Sequence, residues 1–266
     1  MKKIGFIGAG NMGTAMIRGL AQANLVKREE IIVGGRNIEK LIPLEAEFTG
    51  LQITTETEKL VEQADIVILA VKPYTIPEVL TTIKKKLTPD KIIISVAAGV
   101  TILDLEELTS KETKIVRVMP NTPALVGEAM SSISPNSNVT AEETAHISTI
   151  FSSFGKAEVV AENLMDAVVG VSGSSPAYVY MFIEALADGA VLNGMPRDKA
   201  YKFAAQAVLG AAKMVLETGE HPGKLKDMVT SPGGTTIEAV KSLEDTGFRS
   251  SVISAVQAAA SKNSSM

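Results

Sequence analysis

A doubly wound, mainly parallel α/β sheet over residues 1–162, followed by an all-helical domain over 163–266, is the fold class this sequence predicts. Three observations carry the prediction. Short β-branched runs alternate with helical periodicity through the first half, the rhythm of repeated β-α-β units. The turn after the first run reads Gly8-Ala9-Gly10-Asn11-Met12-Gly13, with glycines at the spacing of a dinucleotide-binding strand-to-helix turn. Beyond residue 162 the strand signal stops and Ala-rich helical patterns take over.

Strands are expected at 3–7, 30–33, 66–70, 92–95 and 114–119. The last four are nearly all apolar, as strands buried on both faces should be. Helices at 12–23, 76–85 and 102–108 lie between them. Thr140-Ala141-Glu142-Glu143 is a capping box that opens another helix, and a final strand is expected at 157–160. The second half then carries helices at 176–192, 197–217, 236–243 and 249–261. Gly194, Gly219 and Gly247 stand where helix C-caps need φ > 0. Residues 263–266 are expected to fray.

The stretch 204–212 is apolar almost all round, and a helical domain of about a hundred residues has little interior to bury it in. An obligate homodimer with interleaved helices is therefore expected, a tightly packed monomeric bundle being the alternative.

The composition excludes several kinds of function. There is no Cys, which removes disulfides, thiolate nucleophiles and cysteine metal ligands together. A net charge of -4 argues against nucleic acid or an anionic membrane as partner. The apolar segment after Lys2-Lys3 is too short and glycine-broken for a secretory leader, and no apolar run reaches spanning length. A cytoplasmic protein is expected. His146 and His221 have no carboxylate or second histidine at ligand spacing, so no metal is expected.

The nucleotide motif follows a strand and opens a helix, the context its chemistry requires. Gly8 makes the turn after Ile7, Gly10 admits a pyrophosphate, and Gly13 lets helix and strand approach; Ala9, Asn11 and Met12 complete the turn. At the end of the second strand an NAD site would carry an acid for the ribose 2′-hydroxyl. Here the residues are Gly34-Gly35-Arg36-Asn37. A guanidinium without a carboxylate favours NADPH, with NADH as the alternative. The plainer reading makes Arg36 a solvated charge and Asn37 a helix cap. Three more loops lie at carboxyl ends of strands, where ligands bind in open α/β sheets. They are Ala70-Val71-Lys72-Pro73, Ser95-Val96-Ala97-Ala98-Gly99 and Met119-Pro120-Asn121-Thr122-Pro123. Ala97 and Ala98 leave room for a ribose or nicotinamide, and Asn121 offers hydrogen bonds.

A second anion site is expected far along the chain, at Ser231-Pro232-Gly233-Gly234-Thr235-Thr236. Free N–H groups at the start of the next helix, with its dipole, suit a carboxylate or phosphate. No His or Lys stands ready as the general base of an alcohol dehydrogenation. An imine answers that shortage: a protonated C=N accepts hydride at carbon and becomes an amine directly. Thr235 or Thr236 can supply a hydroxyl to the nitrogen, while the N–H groups of Gly233 and Gly234 hold a carboxylate. A hydroxyl acting only as an N-cap is the alternative.

Taken together these motifs resemble the pyrroline-5-carboxylate reductase family. The resemblance spans essentially the whole chain, and its most specific parts are Ser172-Gly173-Ser174-Ser175-Pro176-Ala177-Tyr178 and the run from Leu225 to Thr236. It implies reduction of L-1-pyrroline-5-carboxylate to L-proline with NADPH, less favourably NADH. It also implies subunits interlocked through C-terminal helices, with dimers often assembling into decamers. Thr236 matches the position whose hydroxyl meets the ring nitrogen. Backbone near Gly234 and Thr235, with Ser231, matches the carboxylate cradle, and Glu162 matches a position near the substrate. The chain departs from the family at Thr57 and Met228, where some relatives carry Asn on the cofactor, and at Ser175, where many have Gly. A 3-hydroxyacid dehydrogenase would need a lysine on the helix at 164–181, which holds none. A nucleotide sensor without turnover is the remaining alternative, and the second anion site counts against it.

Overall fold

The computed structural model describes residues 2–266. The chain forms two compact units: the residues up to Gly173 together with Ala259–Met266, and Ser174–Ala258.

The first unit starts β1 (Ile4–Ile7), α1 (Asn11–Ala23), β2 (Ile31–Gly34), α2 (Ile42–Glu47), β3 (Gln52–Thr54), α3 (Thr57–Gln63) and β4 (Ile66–Leu69). It continues with α4 (Ile76–Ile83), β5 (Ile92–Ser95), α5 (Ile102–Leu108), β6 (Lys114–Met119) and β7 (Ala129–Pro135). Last come α6 (Ala141–Ser152), β8 (Gly155–Val159), α7 (Met165–Val168) and a π-helical turn over Val169–Gly173. The strands form one eight-stranded sheet in the order β3-β2-β1-β4-β5-β6-β7-β8, parallel throughout except between β6 and β7. Because β2 and β4 flank β1 on opposite sides, the connections diverge there and leave a crevice at the carboxyl edge.

Period-two alternation divides the core between the two faces of this sheet. Ile4, Phe6, Ile66, Ile68, Ile92 and Ile94 pack with Met16, Ile17 and Leu20 of α1 and Phe151 of α6. Ile7, Val67, Leu69 and Ile93 pack on the other face with Leu60, Leu80 and Leu105 from α3, α4 and α5. Each such side chain, fully buried, contributes about 1.5–3 kcal/mol.

Two strands depart from the sequence expectation. β3 is a three-residue edge strand with no buried residue, so it carries no apolar run to read. β7 is interior but carries Ser131, Ser132 and Ser134 at buried positions, which breaks the apolar signature. The Ser134 hydroxyl donates to the Val160 carbonyl at 2.7 Å and that of Ser132 to Met165 Sδ at 3.2 Å. The capping box at Thr140 forms with both of its hydrogen bonds, and β8 begins two residues before its expected start.

The second unit contains α8 (Ser175–Leu192), α9 (Arg197–Thr218), α10 (Pro222–Met228), α11 (Thr235–Asp245) and most of α12 (Phe248–Ser264). Gly194, Gly219 and Gly247 take φ of 89°, 64° and 76°, the C-cap conformation expected of them. Pro222 starts α10, and His221 Nδ1 accepts the Gly223 N–H at 3.0 Å. Tyr178 and Phe182 of α8 meet α12 through the Ala255 carbonyl and the Phe248 ring. The buried residues of α9 are Ala200 and Ala204, while Phe203, Leu209 and Leu216 stand exposed. Among the described residues no helix is long and apolar enough to cross a membrane.

Of the tail expected to fray, Asn263 and Ser264 still belong to a helix. α12 runs to Ser264, and Asn263 is only 4% exposed, its Nδ2 donating to Asp166 Oδ1 at 2.6 Å.

Candidate active site

The glycines of the first turn fill three different physical roles. Gly8 has φ of 104°, and a Cβ there would lie 2.6 Å from the Ala70 carbonyl oxygen. A Cβ on Gly13 would lie 2.5 Å from the Gly8 oxygen, so its absence lets α1 pack onto the β1 turn. Around Gly10 there is nothing within 4 Å. It is the N-cap of α1 and provides no side-chain hydrogen bond to the helix. The first N–H groups of α1 therefore receive no side-chain cap, the arrangement that suits a phosphate. Ile7 is buried beneath this turn, while Asn11 is exposed and Met12 half-buried at the start of the helix.

Beside it, β2 ends in Gly34, and Gly35 donates its N–H to the Thr54 carbonyl at 3.1 Å. Arg36 is exposed and has no ion-pair partner among the described residues. Asn37 is occupied: its Oδ1 accepts the Glu39 N–H at 2.9 Å as the cap of a short 3-10 turn. The plainer reading thus describes Asn37, and an exposed Arg36 fits both a solvated charge and a partner for an anion.

The other loops lie along the same edge, since β4 and β5 follow β1 in the sheet. The Ala70 N–H reaches the Ile7 carbonyl and the Val96 N–H the Leu69 carbonyl, which puts Ala70-Val71-Lys72-Pro73 and Val96-Ala97-Ala98 at adjoining strand ends. Lys72 is exposed there, and Ala97 is buried while Ala98 is half-buried. Asn121 is 7% exposed with both ends of its amide engaged. Its Nδ2 donates to the Ser172 carbonyl at 3.0 Å, and its Oδ1 accepts the Met130 N–H at 2.9 Å.

Glu162 belongs to a network the sequence does not announce. Its Oε1 accepts the Ile102 N–H at 2.8 Å, at the start of α5, and Arg117 Nη1 at 3.0 Å. Arg117 is a buried charge among the apolar residues 115–119 of β6, and that lone Arg in an apolar run is the one available sequence signal. Gly99, Arg117, Glu162, Asp166 and Asn263 line a cavity of ≈ 390 Å³ in the first unit.

In the second unit, residues 231–236 form a turn that opens α11. Gly233 has φ of 67°, and the Gly234 N–H donates to the Ser231 carbonyl at 3.0 Å. Gly234 is the N-cap, so no side chain caps this helix. A Cβ on Gly234 would lie 2.3 Å from Ser231 Oγ, which is how closely that hydroxyl leans over the turn. Thr235 and Thr236 occupy the first two helical positions, beyond the cap. Neither hydroxyl has a hydrogen-bond partner among the described residues, so the N-cap alternative does not describe them. Among those residues no three His, Asp or Glu side chains are grouped as metal ligands.

A glycine turn at the diverging point of a parallel sheet defines the class: a Rossmann-type dinucleotide-binding oxidoreductase fold. Comparison with known proteins narrows it. Residues 162–266 match the family described as pyrroline-5-carboxylate reductase dimerisation, and residues 3–99 the one described as NADP oxidoreductase coenzyme F420-dependent. The chain is 55% identical to the pyrroline-5-carboxylate reductase of Escherichia coli (strain K12), covering 96% of this chain and 94% of that protein. It is 50% identical to the enzyme of Methanosarcina acetivorans over the same shares. Among solved structures, Plasmodium falciparum pyrroline carboxylate reductase with NADP bound superposes with a TM-score of 0.90 at 38% identity, over 99% of this chain and 97% of that one. The chain belongs to the pyrroline-5-carboxylate reductase family.

Proposed function

We propose that this protein reduces L-1-pyrroline-5-carboxylate to L-proline with NADPH, the last step of proline biosynthesis. The observation that carries the reading is the turn at 231–236, where an uncapped helix start adjoins a threonine hydroxyl left free. Supporting it are the identity to named reductases over almost their full lengths and the NADP held by the Plasmodium relative. The N–H groups around Gly233, Gly234 and Thr235, with the Ser231 hydroxyl, hold the substrate carboxylate. The Thr236 hydroxyl meets the ring nitrogen, and NADPH when bound supplies the hydride to the C=N carbon. One hydride added to a protonated imine completes the secondary amine, so a residue of strong acidity is unnecessary. This fits a chain with two histidines and no cysteine.

The open N-terminus of α1 receives the pyrophosphate and Arg36 the 2′-phosphate, with 70–73 and 96–98 as walls. Glu162 acts from beneath α5, and Asn121 acts by fixing its loop. Residues 1–162 serve the cofactor, while 163–266 serve substrate and self-association. The subunits form a homodimer with interlocked helices, able to assemble into a decamer, and work in the cytoplasm.

The test is NADPH oxidation on addition of pyrroline-5-carboxylate, run in parallel with NADH. Thr236→Ala should lower kcat about a hundredfold while NADPH affinity stays within about twofold. NADPH binding without oxidation would replace the enzyme reading with the sensor, and unchanged turnover in Thr236→Ala would remove that residue from the mechanism.

A further inference from the structure

We propose that the end of α12 is a positioning element for the cofactor: Asn263, held by Asp166, keeps Met266 over Gly99 and so fixes the loop at 95–99. The inference rests on the NADPH reading and extends it to residues outside every cofactor motif. Gly99 has φ of +75°, and a Cβ on it would come within 2.7 Å of Met266 Cβ, so the missing side chain makes room for the end of this helix. The Met266 N–H donates to the Asn263 carbonyl at 3.3 Å, and Asn263 Nδ2 donates to Asp166 Oδ1 at 2.6 Å.

Both restraints on the loop run through one short segment. Asp166 holds Asn263, while Glu162, four residues earlier, holds the Ile102 N–H where the loop enters α5. On the upstream side β5 pairs with β4 as far as Ser95. The stretch with Ala97 and Ala98 is therefore held at both ends and covered at Gly99. An apolar residue at 263 would bury as well; a buried amide facing a carboxylate specifies one seating of the helix end. Asn263 Oδ1 is buried without a partner, which leaves the Asp166 contact as the amide's anchor. Loosening it should let the loop relax and weaken NADPH binding, with little effect on the pyrroline.

The experiment titrates NADPH by its fluorescence and measures turnover with pyrroline-5-carboxylate on the full chain. In Asn263→Asp a carboxylate faces Asp166, and the Kd for NADPH should rise about tenfold, with KM for the pyrroline within about twofold. The double variant Asn263→Asp/Asp166→Asn exchanges the pair and should return the Kd to within about threefold of wild type. Met266→Gly removes the Cβ that faces Gly99, on a side chain that is 65% exposed, so folding is not at risk, and should raise the Kd about threefold. Unchanged Kd values in Asn263→Asp and Met266→Gly, or losses in the double variant that merely add, would overturn the clamp. A wild type that fails to bind NADPH would overturn the cofactor reading instead.

Discussion

Three glycines within six residues make different demands on the backbone, and substitution separates them. Gly13→Ala drives a methyl into the Gly8 carbonyl oxygen, backbone that cannot yield, and should lower the thermal midpoint of the free protein. Gly10 has φ of −73° and open space around it, so Gly10→Ala should leave that midpoint within about 2 °C. On the proposed reading the same methyl sits where the pyrophosphate approaches, and NADPH affinity should fall about tenfold or more. Equal affinity in wild type and Gly10→Ala would take the phosphate away from this turn. The contrast applies again at Gly233 and Gly234: the first needs its positive φ, the second needs space beside Ser231 Oγ.

At the scale of elements, α6 shows how a cap and an ion pair act together. Glu143 closes the capping box on Thr140 and accepts Lys114 Nζ at 2.6 Å. Partial burial pushes its carboxyl up, but the Lys114 hydrogen bond and charge and the Thr140 N–H outweigh it, and the net shift is below the ordinary 4.5. A carboxyl lowered in the folded state stabilises at pH values above its unfolded pKa and loses that contribution as the pH falls through the folded one. Glu143→Gln should therefore unfold at lower temperature than wild type at pH 7. The two melting curves should converge as the pH falls below 4.5. A constant gap down to pH 3 would show that charge is not the cause.

The same elements explain what was legible. Strands with a mainly apolar run were readable, because burial on both faces demands one: β1, β2, β4 and β5, and β6 despite Arg117. β7 carries buried serines in the sheet, of which Ser132 and Ser134 find partners elsewhere in the chain, and no local pattern encodes that. The turns at 8–13 and 231–236 were legible because φ > 0 and missing side chains leave glycines in the sequence. The commitment of Glu162 to Ile102 and Arg117, residues 60 and 45 positions away, was not. Nor was the seating of Asn263, 97 residues from Asp166. Polar side chains that work by long-range pairing are indistinguishable in sequence from solvated ones.

For the whole molecule, the apolar surface of the second unit sets the expectation. Phe203 is 67% and Leu216 78% exposed in the single chain, beyond what scattered surface hydrophobics account for when joined by Leu209 on the same helix. Replacing both with Glu should leave the isolated subunit folded and convert the assembly to a smaller species in sedimentation. Wild type sedimenting as a monomer at micromolar concentration would refute the self-association reading.

The first unit is also discontinuous in sequence: Ala259–Met266 join it only after the second unit, Ser174–Ala258, has been passed. During synthesis the sheet and its glycine turn emerge early, yet Gly99 stays uncovered until Ala259–Met266 have followed the second unit. At about 5–20 residues per second the second unit alone takes roughly 4–17 s, long enough for the sheet to have formed. A nascent chain would thus complete the surroundings of Gly99 in two stages, without Ala259–Met266 first and with them afterwards. A chaperone or a nucleotide meeting the chain in that interval meets the first stage.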